Sequence, residues 1–223
     1  MFKRVVALLL TLAVAPLAIA ADPWIEGRHF YRLEPVRPIS TPAGTIEVVE
    51  VFSYACPACD AFRPLFDGLR ATLPPKVKVV YMPASFNAAE DWPMFQRAYF
   101  AAKRLGIDEK THTAMFAAIW QSGELAVVDP RTRRLRSPAP ALEDAAAFYE
   151  KNAGVKPAQF LGMAHSFSVD LDVRSADEYI RSSKVDSTPQ LIINGKYRIS
   201  GEAAGSFPRM IEVARWLIAR EGG

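Results

Sequence analysis

Two short runs of apolar and β-branched residues in the first part of the chain predict buried strands. Residues 45–54, with the sequence TIEVVEVFSY, form the first run, and residues 77–82 form the second. Between them, four apolar side chains follow the i, i+3, i+4, i+7 spacing of an amphipathic helix: Phe62, Leu65, Phe66 and Leu69. Pro64 lies within this helix, and because the apolar spacing continues past it we expect a kink rather than an end. The order strand, helix, strand predicts a βαβ unit.

The apolar spacing changes to a helical period in the middle of the chain. The change predicts an inserted α-helical domain over residues 87–184, within a domain formed by residues 21–86 and 185–223. His112 lies on one of the apolar stripes, so we interpret it as a core histidine rather than a catalytic one. The basic run over residues 131–136 precedes a proline-rich break, and we interpret it as a solvated loop.

Strand character returns near the C-terminus. Residues 190–194 are mostly apolar, and Asn194-Gly195 is a strong signal for a tight hairpin turn that leads into a partner strand over residues 196–200. A final amphipathic helix follows, with Ser206 as its predicted N-cap. Because a hairpin adds antiparallel strands to the parallel pair of the βαβ unit, we expect a mixed sheet.

The composition is that of a folded protein. Half of the 223 residues are hydrophobic and 11% are aromatic, which excludes a disordered chain and a multi-pass membrane protein. The 27 basic and 24 acidic residues give a net charge of +3, but two of the basic residues, Lys3 and Arg4, lie at the N-terminus. Without these two, 25 basic residues face 24 acidic ones, so nucleic acid is not an implied partner.

The first twenty residues have the pattern of a cleavable secretory signal peptide. The basic pair is followed by an apolar run over residues 5–19, and the run ends in Ala18-Ile19-Ala20, the small-x-small pattern of a signal peptidase site. We therefore predict a signal peptide over residues 1–20 and export of the remaining chain. An uncleaved membrane anchor is the alternative interpretation.

The chain contains two cysteines, Cys56 and Cys59, three positions apart. A disulfide between them closes almost no loop, so it is a poor stabiliser of a domain of this size, and reactivity explains the pair better. A zinc site needs about four ligands, and the histidines His29, His112 and His165 are scattered without ligand spacing. We therefore expect no metal.

Three motifs together resemble the DsbA family of periplasmic thiol:disulfide oxidoreductases. They are EVFSYACPAC over residues 50–59, Thr188-Pro189 before a strand, and NGKY over residues 194–197. The resemblance covers essentially the whole mature chain. It implies an α/β fold: a thioredoxin-like mixed β-sheet flanked by helices, with the inserted α-helical domain, and no cofactor.

The resemblance implies that Cys56 and Cys59 are catalytic. Cys56 would be the exposed nucleophile at a helix N-terminus, where unpaired N–H groups stabilise a thiolate, and Cys59 would be the buried resolving thiol. Pro57 fits the first turn of that helix. Ala58 departs from the family pattern, because the best-known members carry a histidine between the cysteines. Ala58 supplies only backbone, so a milder oxidant is expected.

Three further residues are expected to support the site. Pro189 is either an ordinary trans proline at a strand start or, as the resemblance implies, a cis proline facing Cys56, with Thr188 hydrogen-bonding a substrate backbone. Glu50 is either a solvated strand residue or, in the resemblance, a buried acid beneath the resolving cysteine. The position that holds its lysine partner in the family corresponds here to Tyr81, which is expected to supply a neutral hydrogen bond instead.

The sequence therefore predicts an exported, monomeric dithiol oxidase of the periplasm. The resemblance implies that the protein donates the Cys56-Cys59 disulfide to unfolded or partly folded exported proteins with free thiols. It also implies that a membrane quinone-linked, DsbB-like partner reoxidises the protein. A disulfide isomerase or reductase is the alternative within the enzyme class, although residues 21–45 are too few for the extra dimerisation domain typical of such isomerases. A non-catalytic chaperone or metallochaperone using the same thiols is the alternative outside it.

Overall fold

The computed structural model of the protein describes residues 23–223, so the predicted signal peptide lies outside the described residues. One five-stranded sheet has the order β1-β5-β4-β2-β3. The strands are β1 (Tyr31–Arg32), β2 (Ile46–Phe52), β3 (Val77–Pro83), β4 (Gln190–Ile193) and β5 (Tyr197–Ser200). β2 and β3 are parallel, and the other neighbouring strands are antiparallel. The predicted mixed sheet is confirmed.

The described part of the chain also contains eight α-helices and a 3-10 helix (Ala88–Glu90). The α-helices are α1 (Pro57–Arg70), α2 (Trp92–Arg104), α3 (Asp108–Trp120), α4 (Leu142–Ala153), α5 (Pro157–Ala164), α6 (Phe167–Ser182), α7 (Gly201–Ala204) and α8 (Phe207–Arg220). Helices α2 to α6 lie between β3 and β4, where the helical period was expected. That they form a separate inserted domain stays a prediction. Over residues 23–223, none of the helices has the length and apolar character to cross a bilayer.

β2 is the strand that leads into the cysteine motif, and all seven of its residues are buried. Its valines and Phe52 suit a strand covered on both faces. The strand nevertheless carries two carboxylates, Glu47 and Glu50. The Glu47 carboxylate accepts hydrogen bonds of 2.7 Å from both the backbone N–H and the hydroxyl of Ser40, which offsets the cost of its burial. Glu47 is therefore a structural residue, and Glu50 needs a different explanation.

α1 begins directly after Cys56, with Pro57 in its first turn, and continues through Pro64 to Arg70. The helix continues past Pro64, as the sequence predicted. Its buried face carries Cys59 and three apolar residues, Phe62, Phe66 and Leu69. Leu65 was predicted on the same apolar stripe, but its side chain is 37% exposed. The prediction was wrong there because α1 packs mainly against α8 and α3, and Leu65 lies outside the face that is buried.

The C-terminal hairpin forms where it was predicted. Asn194 and Gly195 both have positive φ, 52° and 66°, which suits the Asn-Gly sequence. A Cβ on Gly195 would lie 2.1 Å from the carbonyl oxygen of Arg37, and Arg37 N–H donates to the Gly195 carbonyl at 2.8 Å. Glycine is therefore required for the close approach of the N-terminal segment. The Ser206 hydroxyl accepts from Arg209 N–H, so the predicted N-cap of α8 is confirmed.

Two small elements were not predicted. β1 is two residues long and pairs with the outer edge of β5, and α7 is a four-residue helix between β5 and α8. Both are too short to show a hydrophobic period. The basic run over residues 131–136 is exposed throughout, which confirms its interpretation as a solvated loop.

Candidate active site

The cysteine motif lies at the C-terminal end of β2, where a tight turn leads into α1. Cys56 N–H donates to the carbonyl of Ser53, and Ala55 N–H donates to the Ser53 hydroxyl, both at 3.2 Å. Cys56 is the N-cap residue of α1. The unpaired N–H groups of the first helical turn are therefore available to its sulfur.

The two cysteines are free thiols with different surroundings. Cys59 is fully buried, whereas Cys56 is 5% exposed. Cys56 is thus the more accessible of the two, as expected, but describing it as exposed was wrong. Thr188 and Pro189, which come from a distant part of the chain, cover the helix N-terminus and leave little of the sulfur open.

The surroundings also separate the acidities of the two thiols. The pKa of Cys56 is lowered to about 6, chiefly because the Cys59 thiol donates a hydrogen bond to its sulfur. Thr188 and the first backbone N–H groups of α1 add to this stabilisation, while burial opposes it. The pKa of Cys59 is raised well above its usual value by burial and by the hydrogen bond that it donates. At neutral pH the charge therefore resides on Cys56.

The Thr188-Pro189 segment lies against Cys56. The peptide bond between Thr188 and Pro189 is cis, as the resemblance implied. The Cys56 thiol donates to the Thr188 carbonyl, with 3.5 Å between sulfur and oxygen. The Thr188 hydroxyl oxygen is buried and has no hydrogen-bond partner among residues 23–223. A thiolate at Cys56 would accept from that hydroxyl.

The two residues between the cysteines contribute little beyond the backbone. Pro57 is exposed and Ala58 is partly buried. The backbone N–H of Ala58 helps to lower the pKa of Cys56, but its methyl group has no polar atom to offer. Between the two cysteines, stabilisation of a charge on Cys56 therefore comes from the helix backbone.

Glu50 is 4% exposed, so the structure favours the buried acid over the solvated residue. The pKa of Glu50 is raised to about 8, chiefly by burial and also by the nearby carboxylate of Asp67, against the opposing charges of Arg70 and Arg63. At neutral pH the carboxyl is therefore largely protonated. It is close enough to Cys59 for its charge to raise the pKa of that thiol.

Tyr81 lies beside Glu50 in the parallel register of β2 and β3, where it was expected. Its hydroxyl, however, accepts a 2.8 Å hydrogen bond from the guanidinium of Arg70, which also lies over its ring. Sequence reasoning missed Arg70 because nothing in the spacing of α1 identifies which strand residue its last turn meets. The largest opposing charge on Glu50 is that of the same arginine, Arg70.

His112 is a core residue, as interpreted from the sequence. It is 6% exposed and packs at 4.2 Å between ring centroids on Tyr81. Burial, with the charges of Arg70 and Arg63, lowers its pKa to about 3, so the imidazole is neutral. Across residues 23–223, no group of three or more histidine, cysteine, aspartate or glutamate side chains is arranged to hold a metal ion.

A groove of about 340 Å³ lies on the side of α7 and α8, next to Thr188 and Pro189, and neither cysteine is among its lining residues. Thr188 and Pro189 form one wall, and Gly201, Glu202 and Phe207 form part of the other. Sequence reasoning did not identify Glu202 or Phe207, because they come from α7 and the start of α8. Thr188 connects the groove to the reactive sulfur, because it lines the groove and its carbonyl accepts from the Cys56 thiol.

A family profile described as Thioredoxin matches residues 39–212. Together with the sheet order and the paired cysteines at a helix N-terminus, this match defines a thioredoxin-like thiol:disulfide oxidoreductase. The thiol:disulfide interchange protein DsbA of Pseudomonas syringae pv. tomato is 31% identical over 204 residues, which cover 92% of this chain and 87% of that protein. The chain belongs to the DsbA family.

Solved structures agree with this assignment. The crystal structure of the oxidoreductase DsbA from Xylella fastidiosa has a TM-score of 0.77 and 30% sequence identity, and the match covers 89% of this chain and 97% of that one. For the crystal structure of Pseudomonas aeruginosa DsbA the TM-score is 0.75 at 29% identity, with coverage of 90% and 96%.

Proposed function

We propose that this protein is an exported oxidase that donates its Cys56-Cys59 disulfide to folding proteins in the periplasm. The observation that carries the proposal is the opposite perturbation of the two thiols: the pKa of Cys56 is lowered to about 6, and that of the buried Cys59 is raised. A stabilised thiolate favours the reduced form. Since a stable reduced form makes the disulfide a stronger oxidant, the site suits disulfide donation.

The reaction has two exchange steps. A substrate thiolate attacks the Cys56 sulfur of the Cys56-Cys59 disulfide, forming a mixed disulfide and releasing Cys59 as a thiolate. A second substrate thiolate then attacks the substrate sulfur of the mixed disulfide and releases Cys56 as a thiolate. The substrate loses two electrons and the protein gains them, so one disulfide is transferred.

The surroundings assign a task to each supporting residue. Thr188 and the first N–H groups of α1 stabilise the Cys56 thiolate released in the second step. The protonated carboxyl of Glu50 supplies a proton for the Cys59 thiolate released in the first, since its pKa of about 8 keeps the proton available at neutral pH. Pro57 begins the helix that presents the pair.

The partners follow from the chemistry. The protein ends each cycle with two thiols, so a second protein must remove two electrons from it, and a membrane quinone-linked, DsbB-like reoxidase is the proposed partner. The proposed substrates are unfolded or partly folded exported proteins with free thiols. We propose that such a chain binds as an extended segment beside Thr188, in the groove walled by Pro189 and Phe207.

Single-cysteine variants test the proposal. Cys56→Ser should abolish oxidation of a reduced, unfolded substrate. Cys59→Ser should accumulate mixed disulfides when its Cys56 thiolate attacks a disulfide already present in a substrate and releases one substrate thiolate; since no resolving thiol remains in the protein, these complexes should be visible on non-reducing gels. Turnover by Cys56→Ser together with no trapped complexes in Cys59→Ser would overturn the assignment. An equilibrium constant with glutathione typical of a reductase, favouring the protein disulfide, would point to the alternative enzyme class.

A further inference from the structure

Tyr54, two residues before Cys56, is held at both ends by α3. Its hydroxyl oxygen lies 3.0 Å from Nδ1 of His112 and forms a hydrogen bond with it. Its backbone carbonyl accepts a 2.8 Å hydrogen bond from the indole Nε1–H of Trp120. We call His112 and Trp120 the α3 clamp. The clamp connects the helical segment between β3 and β4 to the turn that carries the nucleophile.

The turn transmits the position of Tyr54 to Cys56. The Cys56 N–H bonds to the Ser53 carbonyl, and the Ala55 N–H bonds to the Ser53 hydroxyl, so residues 53–56 form one hydrogen-bonded unit. Tyr54 is the second residue of that unit. A displacement of Tyr54 therefore also displaces Cys56.

The side-chain bond of the clamp lies in a buried, aromatic part of the core. Tyr54 and His112 are both buried, and each packs edge-on or tilted against Phe52 and Phe116. The two groups that form the bond are neutral, since burial lowers the pKa of His112 to about 3 and raises that of Tyr54. Removing either partner leaves the other as a buried polar group without water, which is costly.

We propose that His112 is a positioning residue for disulfide exchange: through Tyr54 it fixes the turn that holds the Cys56 sulfur against Thr188 and the N-terminus of α1. The thiolate depends on this geometry more than the thiol or the disulfide does, because hydrogen bonds to a charge are stronger and depend on alignment. Loosening the clamp should thus destabilise the reduced thiolate form selectively. The inference rests on the proposed role of Cys56 as nucleophile.

The test compares variants at the two ends of the bond. His112→Phe and Tyr54→Phe each remove it, His112→Asn keeps a polar group near the position of Nδ1, and the double variant closes a thermodynamic cycle. Tyr149→Phe is the matched control, since it removes the hydroxyl of another fully buried tyrosine, on α4. For each protein the thiolate titration of Cys56, followed by ultraviolet absorbance, and the equilibrium constant with glutathione are measured beside the melting temperature.

We expect His112→Phe and Tyr54→Phe to raise the pKa of Cys56 and to weaken the protein as an oxidant by about threefold to tenfold, the range of one hydrogen bond. His112→Asn should restore most of the loss, the double variant should be no worse than either single one, and Tyr149→Phe should change only the melting temperature. If the first two variants melt earlier but keep the parental titration and equilibrium constant, His112 is merely a core residue. If His112→Phe does not fold, Tyr54→Phe and His112→Asn decide alone.

The proposed function is checked separately in the parent protein. There, Cys56 should be alkylated well before Cys59 when the protein is reduced. If it is not, the assignment of the nucleophile fails, whatever the clamp variants show.

Discussion

The sulfur of Cys56 lies 3.5 Å from the carbonyl oxygen of Thr188, a residue 132 positions further along the chain. The same threonine has a buried hydroxyl oxygen without a partner among the described residues. Thr188 therefore contacts the reactive sulfur through its backbone carbonyl, and its side-chain hydroxyl is available to donate to a Cys56 thiolate. The charge on Cys56 is set by the first turn of α1 together with this remote residue.

Replacing Thr188 with valine should raise the pKa of Cys56 and weaken the oxidant. Valine matches threonine in shape but cannot donate to the thiolate, and a hydrogen bond to a charged group in a mostly buried site is worth more than a neutral one. We expect the equilibrium constant with glutathione to move about tenfold towards the protein disulfide, equivalent to about 1.4 kcal/mol. Thr188→Ser keeps the hydroxyl and serves as the control. If the valine and serine variants have the same pKa of Cys56 and the same equilibrium constant with glutathione, the Thr188 hydroxyl does not stabilise the thiolate.

Replacing Ala58 with histidine should make the protein a stronger oxidant. An imidazole beside Cys56 adds a charge-stabilising donor where the structure has a methyl group, so the thiolate should gain stability and the pKa of Cys56 should fall. An effect of about tenfold on the equilibrium constant corresponds to about one unit of pKa. Ala61→His, on the exposed side of the next turn, is the matched control. An unchanged or lowered potential in Ala58→His would contradict the prediction.

Glu50→Gln should change how stability depends on pH. The pKa of Glu50 is raised from 4.5 to about 8 in the folded protein, so the folded state holds its proton more tightly than the unfolded state. Its contribution is complete below about pH 4.5 and is lost as pH rises through about 8. The glutamine of the variant does not ionise, so the free energy of unfolding of the variant should not fall in this pH range. Above pH 8 it should exceed that of the parent by an amount on the order of a few kcal/mol at most. Denaturant unfolding of the disulfide forms, in which no thiol titrates, measures it.

The same variant should slow the exchange step that releases Cys59. Glutamine cannot give up a proton, so the Cys59 thiolate must be protonated from solvent through a buried site. Stopped-flow reduction of the disulfide by a small thiol, measured from pH 5 to pH 9, should show a deficit that is largest below pH 8, where the parent holds the proton. Parental rates across this range would leave Glu50 as a strand residue only.

The exported protein should begin at Ala21, or within one residue of it. The prediction rests on the Ala18-Ile19-Ala20 site, which follows the apolar run over residues 5–19. Mass spectrometry of the protein recovered from the periplasm gives the answer directly. A mature species that retains Lys3 would contradict both the cleavage site and the proposed route of export.

The sequence predicted those elements of the fold that are determined by residues close together in the chain. β2, α1 and the final hairpin appeared in the sequence as β-branched runs, apolar spacing and an Asn-Gly turn, and Ser206 appeared as a cap. Each depends on residues within a few positions of one another. β1 and α7 were missed because their formation depends on what they pack against rather than on their own length or period.

Only those site residues that belong to recognisable sequence motifs could be predicted. The cysteine pair was identified as reactive from its spacing, and Thr188 and Glu50 were identified through the resemblance, but the arrangement around them was not predicted. The bond of Arg70 to Tyr81 and that of His112 to Tyr54 join residues 11 and 58 positions apart, between elements whose relative placement is decided by packing. The near burial of Cys56 has the same origin, since the segment that covers it lies far along the chain.

β2 lies between a strand that follows it closely, β3, and one that is made near the end of the chain, β4. Synthesis therefore delivers both cysteines and the whole βαβ unit long before Thr188 exists. A nascent or truncated chain ending before residue 188 contains Cys59 and the first turn of α1 but lacks the contribution of Thr188 to the Cys56 thiolate. The stabilisation of the Cys56 thiolate is therefore complete only in a chain folded as far as its C-terminal hairpin.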